Sequence, residues 1–290
     1  MLTKDEIRIR DPFILTDHDS RNYYLYGTTD ANVWEGQATG FDAYKSRDLV
    51  NWEGPFPVFR PDANFWASQH YWAPEVYFYH DQYYMFASFK GEGKCRGTQI
   101  LASDHPLGPF SPLSEHPITP SHWECLDGTL FIDSNEEPWI IFCHEWLQVQ
   151  DGEICAQRLS PDFQSTVGEP YFLFKASSAN WVVPVRGETE YITDGPFLYQ
   201  DQKGRLQMLW SSRSPKGYAV GIAISESGDI RGPWVQETES LLDEDGGHAM
   251  LFRTFNDELK LAIHSPNRSP NERPVFLSVS EKDGKLVVEK

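Results

Sequence analysis

The sequence predicts an all-β chain, folded as a five-bladed β-propeller with four antiparallel strands per blade. Two observations carry that prediction. A short unit, in which one or two polar or small residues precede an apolar strand-forming run, occurs five times. Its copies are Arg10-Asp11-Pro12-Phe13-Ile14-Leu15, Trp72-Ala73-Pro74-Glu75-Val76-Tyr77-Phe78, Leu126-Asp127-Gly128-Thr129-Leu130-Phe131-Ile132, Thr193-Asp194-Gly195-Pro196-Phe197-Leu198-Tyr199 and Gly246-Gly247-His248-Ala249-Met250-Leu251-Phe252. With Asp11, Ala73, Asp127, Asp194 and Gly247 taken as equivalent, the steps are 62, 54, 67 and 53 residues. A strand-built repeat of that length is a propeller or solenoid signature. A β-sandwich has no reason to repeat this way.

The second observation is that three more strand-like runs succeed each unit. After Asp11 they fall at 22–28, 40–46 and from Trp52 through Pro55; after Ala73, at 82–89, 98–103 and 110–118. After Asp127 they fall at 138–144, 153–159 and 169–174; after Asp194, at 205–211, 218–225 and 234–241; after Gly247, at 259–265, 275–280 and 285–289. These runs are short, β-branched or aromatic, and bounded by Gly, Pro, Asn, Asp or Ser. The connections between third and fourth strands also resemble one another, as in 103–110, 225–234 and 46–52.

The chain has 290 residues, 40% of them apolar and 14% aromatic, ample for a buried core, and its 20 Pro and 21 Gly suit many short strands and turns. We expect residues 1–290 to form a single catalytic propeller domain. The 25 basic and 43 acidic residues give a formal charge of −18. That field repels phosphate backbones and anionic membranes, so neither nucleic acid nor a membrane is an expected partner. A neutral polysaccharide is compatible with it. The opening Met1-Leu2-Thr3-Lys4-Asp5-Glu6 has no apolar segment of the secretory type, and no run approaches the roughly 18 apolar residues of a membrane span. A cytoplasmic location is expected. Cys95, Cys125, Cys143 and Cys155 show neither CxxC pairing nor zinc-ligand spacing and are expected to be reduced thiols.

In a propeller, the first strand of every blade lines the central channel, so residues at equivalent starts meet around one mouth. Asp11, Asp127 and Asp194 should therefore converge. A lone Asp at a strand start is usually a turn cap or a solvated charge. Three around one channel would repel one another and lose water, raising at least one pKa, a cost that structures bear mainly at functional sites. A protonated and an ionised carboxyl together are the equipment for glycosidic bond hydrolysis, and a third can orient the acid. Trp72 and Trp123 are the aromatics best placed to stack on sugar rings, with Trp34, Phe65, Trp66 and Trp146 in loops nearby.

Together, Arg10-Asp11-Pro12-Phe13, Trp72-Ala73-Pro74-Glu75, the Leu126–Phe131 run, Asp194-Gly195-Pro196-Phe197 and Gly247-His248 resemble glycoside hydrolase family 43, over about residues 8 to 280. The resemblance implies a five-bladed propeller that hydrolyses arabinofuranosyl or xylosyl linkages of plant cell-wall saccharides with inversion. By position, Asp11 resembles the general base, Asp127 the carboxylate that tunes the acid, and Asp194 stands where the family typically has a Glu acid. Asp is shorter by one methylene, roughly 1.5 Å, so Glu188 and Glu190 upstream are the substitutes to weigh. Trp72, Trp123, Glu75 and Arg273 are expected substrate contacts. His248 resembles a channel histidine that faces a calcium ion or water in many members; no cofactor is otherwise implied. Two alternatives remain: a phosphorylase, which needs several cations around the channel, and a catalytically silent sugar-binding propeller.

Overall fold

Each of the five units opens the inner strand of a four-stranded antiparallel sheet, and the five sheets close into a propeller. The computed structural model describes residues 1–282 and 284–289; Asp283 and Lys290, the end of the expected single domain, lie outside the described residues. Blade one comprises β1 (Arg10–Asp17), β2 (Asn22–Thr28), β3 (Phe41–Ser46) and β4 (Trp52–Phe59). Blade two comprises β5 (Gln69–Tyr79), β6 (Gln82–Lys90), β7 (Gly97–Ser103) and β8 (Ser111–Pro112). Blade three is β9 (Cys125–Ile132), β10 (Pro138–His144), β11 (Glu153–Leu159) and β12 (Thr166–Lys175). Blade four is β13 (Asp194–Gln200), β14 (Leu206–Ser214), β15 (Gly217–Ser225) and β16 (Trp234–Gln236), and blade five is β17 (Gly247–Arg253), β18 (Leu259–Ser265), β19 (Arg273–Lys282) and β20 (Lys285–Val288).

The second strands are buried on both faces and read as continuous apolar runs, β10 (PWIIFCH) being buried throughout. Outer strands alternate or turn polar, and two are shorter than the sequence suggests. In place of a strand over 110–118, blade two has only Ser111–Pro112, because Pro112 and Pro117 have no N–H to give a ladder. In blade four the ladder ends at Gln236 rather than 241; Glu237 and Leu241 still donate their N–H groups to Ile222 and Val220, at 2.8 and 2.7 Å.

The core lies between the blades, where large side chains such as Trp52, Trp210, Phe41 and Phe142 are fully buried. The inner strands β1, β5, β9, β13 and β17 touch in sequence, and β17 touches β1 to close the ring. Side chains seal that last joint: Arg10 Nη1 meets the buried Glu272 carboxylate at 2.9 Å, and the Thr16 hydroxyl donates to the Arg253 carbonyl at 2.9 Å.

Every inner strand carries a bulge at the same place. The ladder jumps between Arg10 and Phe13, Trp72 and Glu75, Leu126 and Thr129, Asp194 and Phe197, and Gly247 and Met250. The first bulged residue has a left-handed backbone in each blade: Asp11 (φ 53°), Ala73 (46°), Asp127 (55°), Gly195 (49°) and His248 (53°). This corrects the alignment of the repeats. Asp11 and Asp127 are equivalent, but in blades four and five the matching residues are Gly195 and His248, one position later than the sequence alignment places them. Asp194 instead occupies the place of Arg10. A bulge re-aims the side chain it carries, so the channel mouth holds two stacked rings of five residues rather than one.

Candidate active site

A cavity of about 510 Å³ opens at that mouth, and Asp11, Asp127, Asp194, Trp72 and His248 all line it. The lower ring supplies Asp11, Asp127 and His248 from bulge positions; the ring before it supplies Arg10, Trp72, Leu126 and Asp194. Left-handed backbone costs a non-glycine residue roughly 1–2 kcal/mol, and here it is held by hydrogen bonds from the bulges to neighbouring blades. The Asp11 N–H donates to His264 Nδ1 at 3.1 Å, Ala73 N–H to Thr28 Oγ1 at 2.7 Å, Asp127 N–H to Ser88 Oγ at 2.8 Å and His248 N–H to Ser211 Oγ at 2.8 Å. Gly195 differs, donating to Asp127 Oδ2 at 2.9 Å. It must also be glycine for space, since a Cβ there would stand 2.8 Å from His248 Cγ.

The three carboxyls have different electrostatic surroundings. Burial pushes Asp11 up, but His248 (Nδ1 to Oδ1, 3.2 Å) and the Arg10 guanidinium, with the Thr28 hydroxyl donating at 2.6 Å, outweigh it and hold Asp11 below its ordinary value. His264 adds no charge there at neutrality: burial lowers its pKa to about 4. Its Nδ1 therefore accepts the Asp11 N–H, leaving Nε2 to donate to Asn267 at 3.1 Å. Asp127 moves the other way, to about 8, driven by burial and then by Asp11, against the Gly195 N–H and Arg96. Asp194 rises to about 7 through burial and the charge of Asp127, against His248 and the Tyr218 hydroxyl, which donates to Oδ2 at 3.0 Å. One carboxylate is ionised at neutrality, and its two neighbours keep a proton well above the usual range.

Aromatic faces make the wall. Trp34, 51% exposed, stands edge-on to Trp72 at 5.4 Å, with the Arg10 guanidinium 4.9 Å above it. Trp72 carries His70 stacked at 4.4 Å and Arg96 at 4.3 Å. Trp146 and the exposed Leu147, on the single helical turn after β10, complete the rim.

Several expected contacts lie elsewhere. Trp123 stacks on His144, centroids 4.3 Å apart, outside the cavity lining. Glu75 is buried behind the wall, accepting from the Tyr77 hydroxyl at 2.5 Å, and burial raises it to about 7. Arg273 turns outward, its Nε donating to the Asp5 carbonyl at 2.7 Å. Glu188 is exposed, and Glu190 pairs with Arg186 (Nη2 to Oε1, 2.9 Å) on the loop before β13; neither lines the cavity. Phe65 and Trp66 pack around Phe89. The sequence reading missed Tyr218, Arg96, Glu145, His70 and Asn267, all in the lining. Apart from His70, two residues before Trp72, none sits near a repeat motif.

The calcium expectation finds a poor donor set. His248 Nδ1 faces Asp11 and Asp127, but among the described residues no group of three or more His, Cys, Asp or Glu side chains is arranged to hold a metal ion; calcium requires six to eight oxygens. Phosphorolysis is likewise disfavoured. The two arginines in the cavity lining are already paired, Arg10 with Glu272 and Arg96 with the buried Glu145, so the several uncompensated cations that phosphate would need are not gathered there.

A propeller whose channel mouth gathers three carboxyls of split protonation between aromatic faces is a glycoside hydrolase in class. Comparisons with known proteins specify it further. The sequence profile of Glycosyl hydrolases family 43 matches residues 6–279, and the chain belongs to that family. The crystal structure of an endo-arabinase from Bacteroides thetaiotaomicron is similar at 46% identity and a TM-score of 0.92, covering 98% of this chain and 99% of its own. An extracellular exo-α-(1→5)-L-arabinofuranosidase of Cellvibrio japonicus is 21% identical over 269 residues, 85% of this chain and 72% of that protein. An extracellular endo-α-(1→5)-L-arabinanase of Bacillus subtilis is 22% identical over 264 residues, 87% of this chain and 74% of that one.

Proposed function

We propose that this glycoside hydrolase cleaves α-1,5-linked arabinofuranosyl chains with inversion, Asp11 acting as general base, Asp194 as general acid and Asp127 as the carboxyl that orients and tunes the acid. The observation that supports the roles is the split in protonation. Asp11, the most strongly compensated of the three, keeps its charge and is ready to take a proton from water. Asp194 carries a proton to neutrality and gives it to the leaving oxygen. Its shorter reach is matched by its position: it stands on the first residue of a rigid inner strand, whereas Glu190 is on a loop and tied to Arg186. His248 serves as a hydrogen-bonding channel residue beside Asp11; a calcium ion there would have to be held through water.

The arabinan assignment rests on the likeness to the endo-arabinase over the whole chain. It is tested by incubating the protein with linear α-1,5-arabinan, arabino-oligosaccharides, xylan and nitrophenyl arabinofuranoside and xyloside. Arabinan cleavage releasing the inverted anomer, read by NMR in the first turnovers, is expected. Xylan cleavage without arabinan cleavage refutes the substrate, and a retained anomer refutes the mechanism.

A further inference from the structure

The ring of bulges uses one recurring device, and blade three departs from it. The residue of each second strand that pairs with the position before the bulge is Thr28, Ser88, Cys143, Ser211 or His264. Four of these accept the N–H of the next blade's bulged residue, at 2.7–3.1 Å. By that pattern Cys143 should receive Gly195. A thiol sulfur is a weak acceptor, and Cys143 lies fully buried beside Asp127, Asp194 and Thr193. The Gly195 N–H goes instead to Asp127 Oδ2 at 2.9 Å.

We propose that Cys143 is a positioning residue for hydrolysis: by declining the Gly195 N–H, it directs that donor onto Asp127 and so steers the proton shared by Asp127 and Asp194 toward Asp194. The two raised carboxyls repel each other and titrate as a coupled pair, in which Asp127 holds its proton the more tightly, at about 8 against about 7 for Asp194. A donor to Asp127 favours its ionised form, which narrows that gap in favour of the acid. Asp127 is also faced by Asp11 on β1, Glu75 on β5, Arg96 before β7, Glu145 after β10 and His248 on β17. Cys143 substitutions leave all of these in place. The proposal rests on Asp194 being the acid.

The test is the pH dependence of kcat for Cys143→Ser, Cys143→Thr and Cys143→Ala, with melting temperature confirming the fold. Ser and Thr at this site can accept the Gly195 N–H, as Ser88 and Thr28 accept theirs. Asp127 then binds the proton more tightly. On an arabino-oligosaccharide, kcat should fall by up to about tenfold, the ratio for one pKa unit, and the pH optimum should move upward. On nitrophenyl arabinofuranoside, which needs little protonation, kcat should hold. Cys143→Ala offers no acceptor and should keep the wild-type pH profile. Thr stands in should Ser fail to fold. If Cys143 only fills space, Ala perturbs most, and that order overturns the proposal, as do Ser and Thr profiles coinciding with wild type. An Asp194→Asn variant that lacks leaving-group dependence overturns the acid assignment and this proposal together. Asp194→Asn behaving as an acid variant, with a flat Cys143 series, overturns this proposal alone.

Discussion

Asp194→Asn separates catalysis from stability in one variant. The change is isosteric, and the amide oxygen can still accept from the Tyr218 hydroxyl, now 3.0 Å from Oδ2. The proton for the leaving oxygen is lost. General acid catalysis contributes roughly 10²- to 10⁴-fold, about 3 to 5 kcal/mol of barrier. That loss should appear in kcat on arabino-oligosaccharides and largely vanish on nitrophenyl arabinofuranoside, whose leaving group departs as the anion. Stability should move the opposite way. The folded carboxyl titrates near 7 against an ordinary 3.8. A raised acid pKa leaves stability untouched below the unfolded value and erodes it as pH climbs to the folded one. Above neutrality the erosion reaches on the order of 4 kcal/mol as a ceiling. Asp194→Asn should therefore melt higher than wild type at pH 8 and converge with it near pH 4. Equal rate losses on both substrates, or a variant that melts lower at pH 8, would refute the assignment and the burial argument respectively.

Asp11→Asn should abolish arabinan cleavage by at least about 10²-fold on both substrate types, because water activation does not depend on the leaving group; steady-state kinetics on the folded variant check this. Glu190→Gln should leave kcat on arabino-oligosaccharide unchanged, since its carboxylate faces Arg186 on the loop; a leaving-group-dependent loss would move the acid there. Exhaustive chelation should leave activity and melting temperature unchanged, because His248 Nδ1 is already engaged by the Asp11 and Asp127 carboxylates at 3.2 and 3.8 Å. Losses restored by calcium would place an ion in the channel.

The sequence by itself determined the architecture: five recurrences of a strand start, each trailed by three strand-like runs, leave few all-β solutions, and apolar patterning is a local property. It also singled out Asp11, Asp127 and Asp194, because each sits in a repeat motif. The frame of those motifs needed the structure. A bulge inserts a residue into one strand only, and whether Asp194 or Gly195 is the bulged residue depends on pairing with Ser211 and Leu209 across the sheet. The walls of the site were also beyond reading from sequence. Tyr218, Arg96, Glu145 and Asn267 come from outer loops and strand ends of different blades, and only ring closure brings them to one cavity. The same holds for Trp123 and Arg273, plausible by chain proximity but turned away by His144 stacking and by the Asp5 carbonyl. Local patterning chooses strands; the direction in which a side chain leaves the ring is decided by contacts between residues remote in sequence.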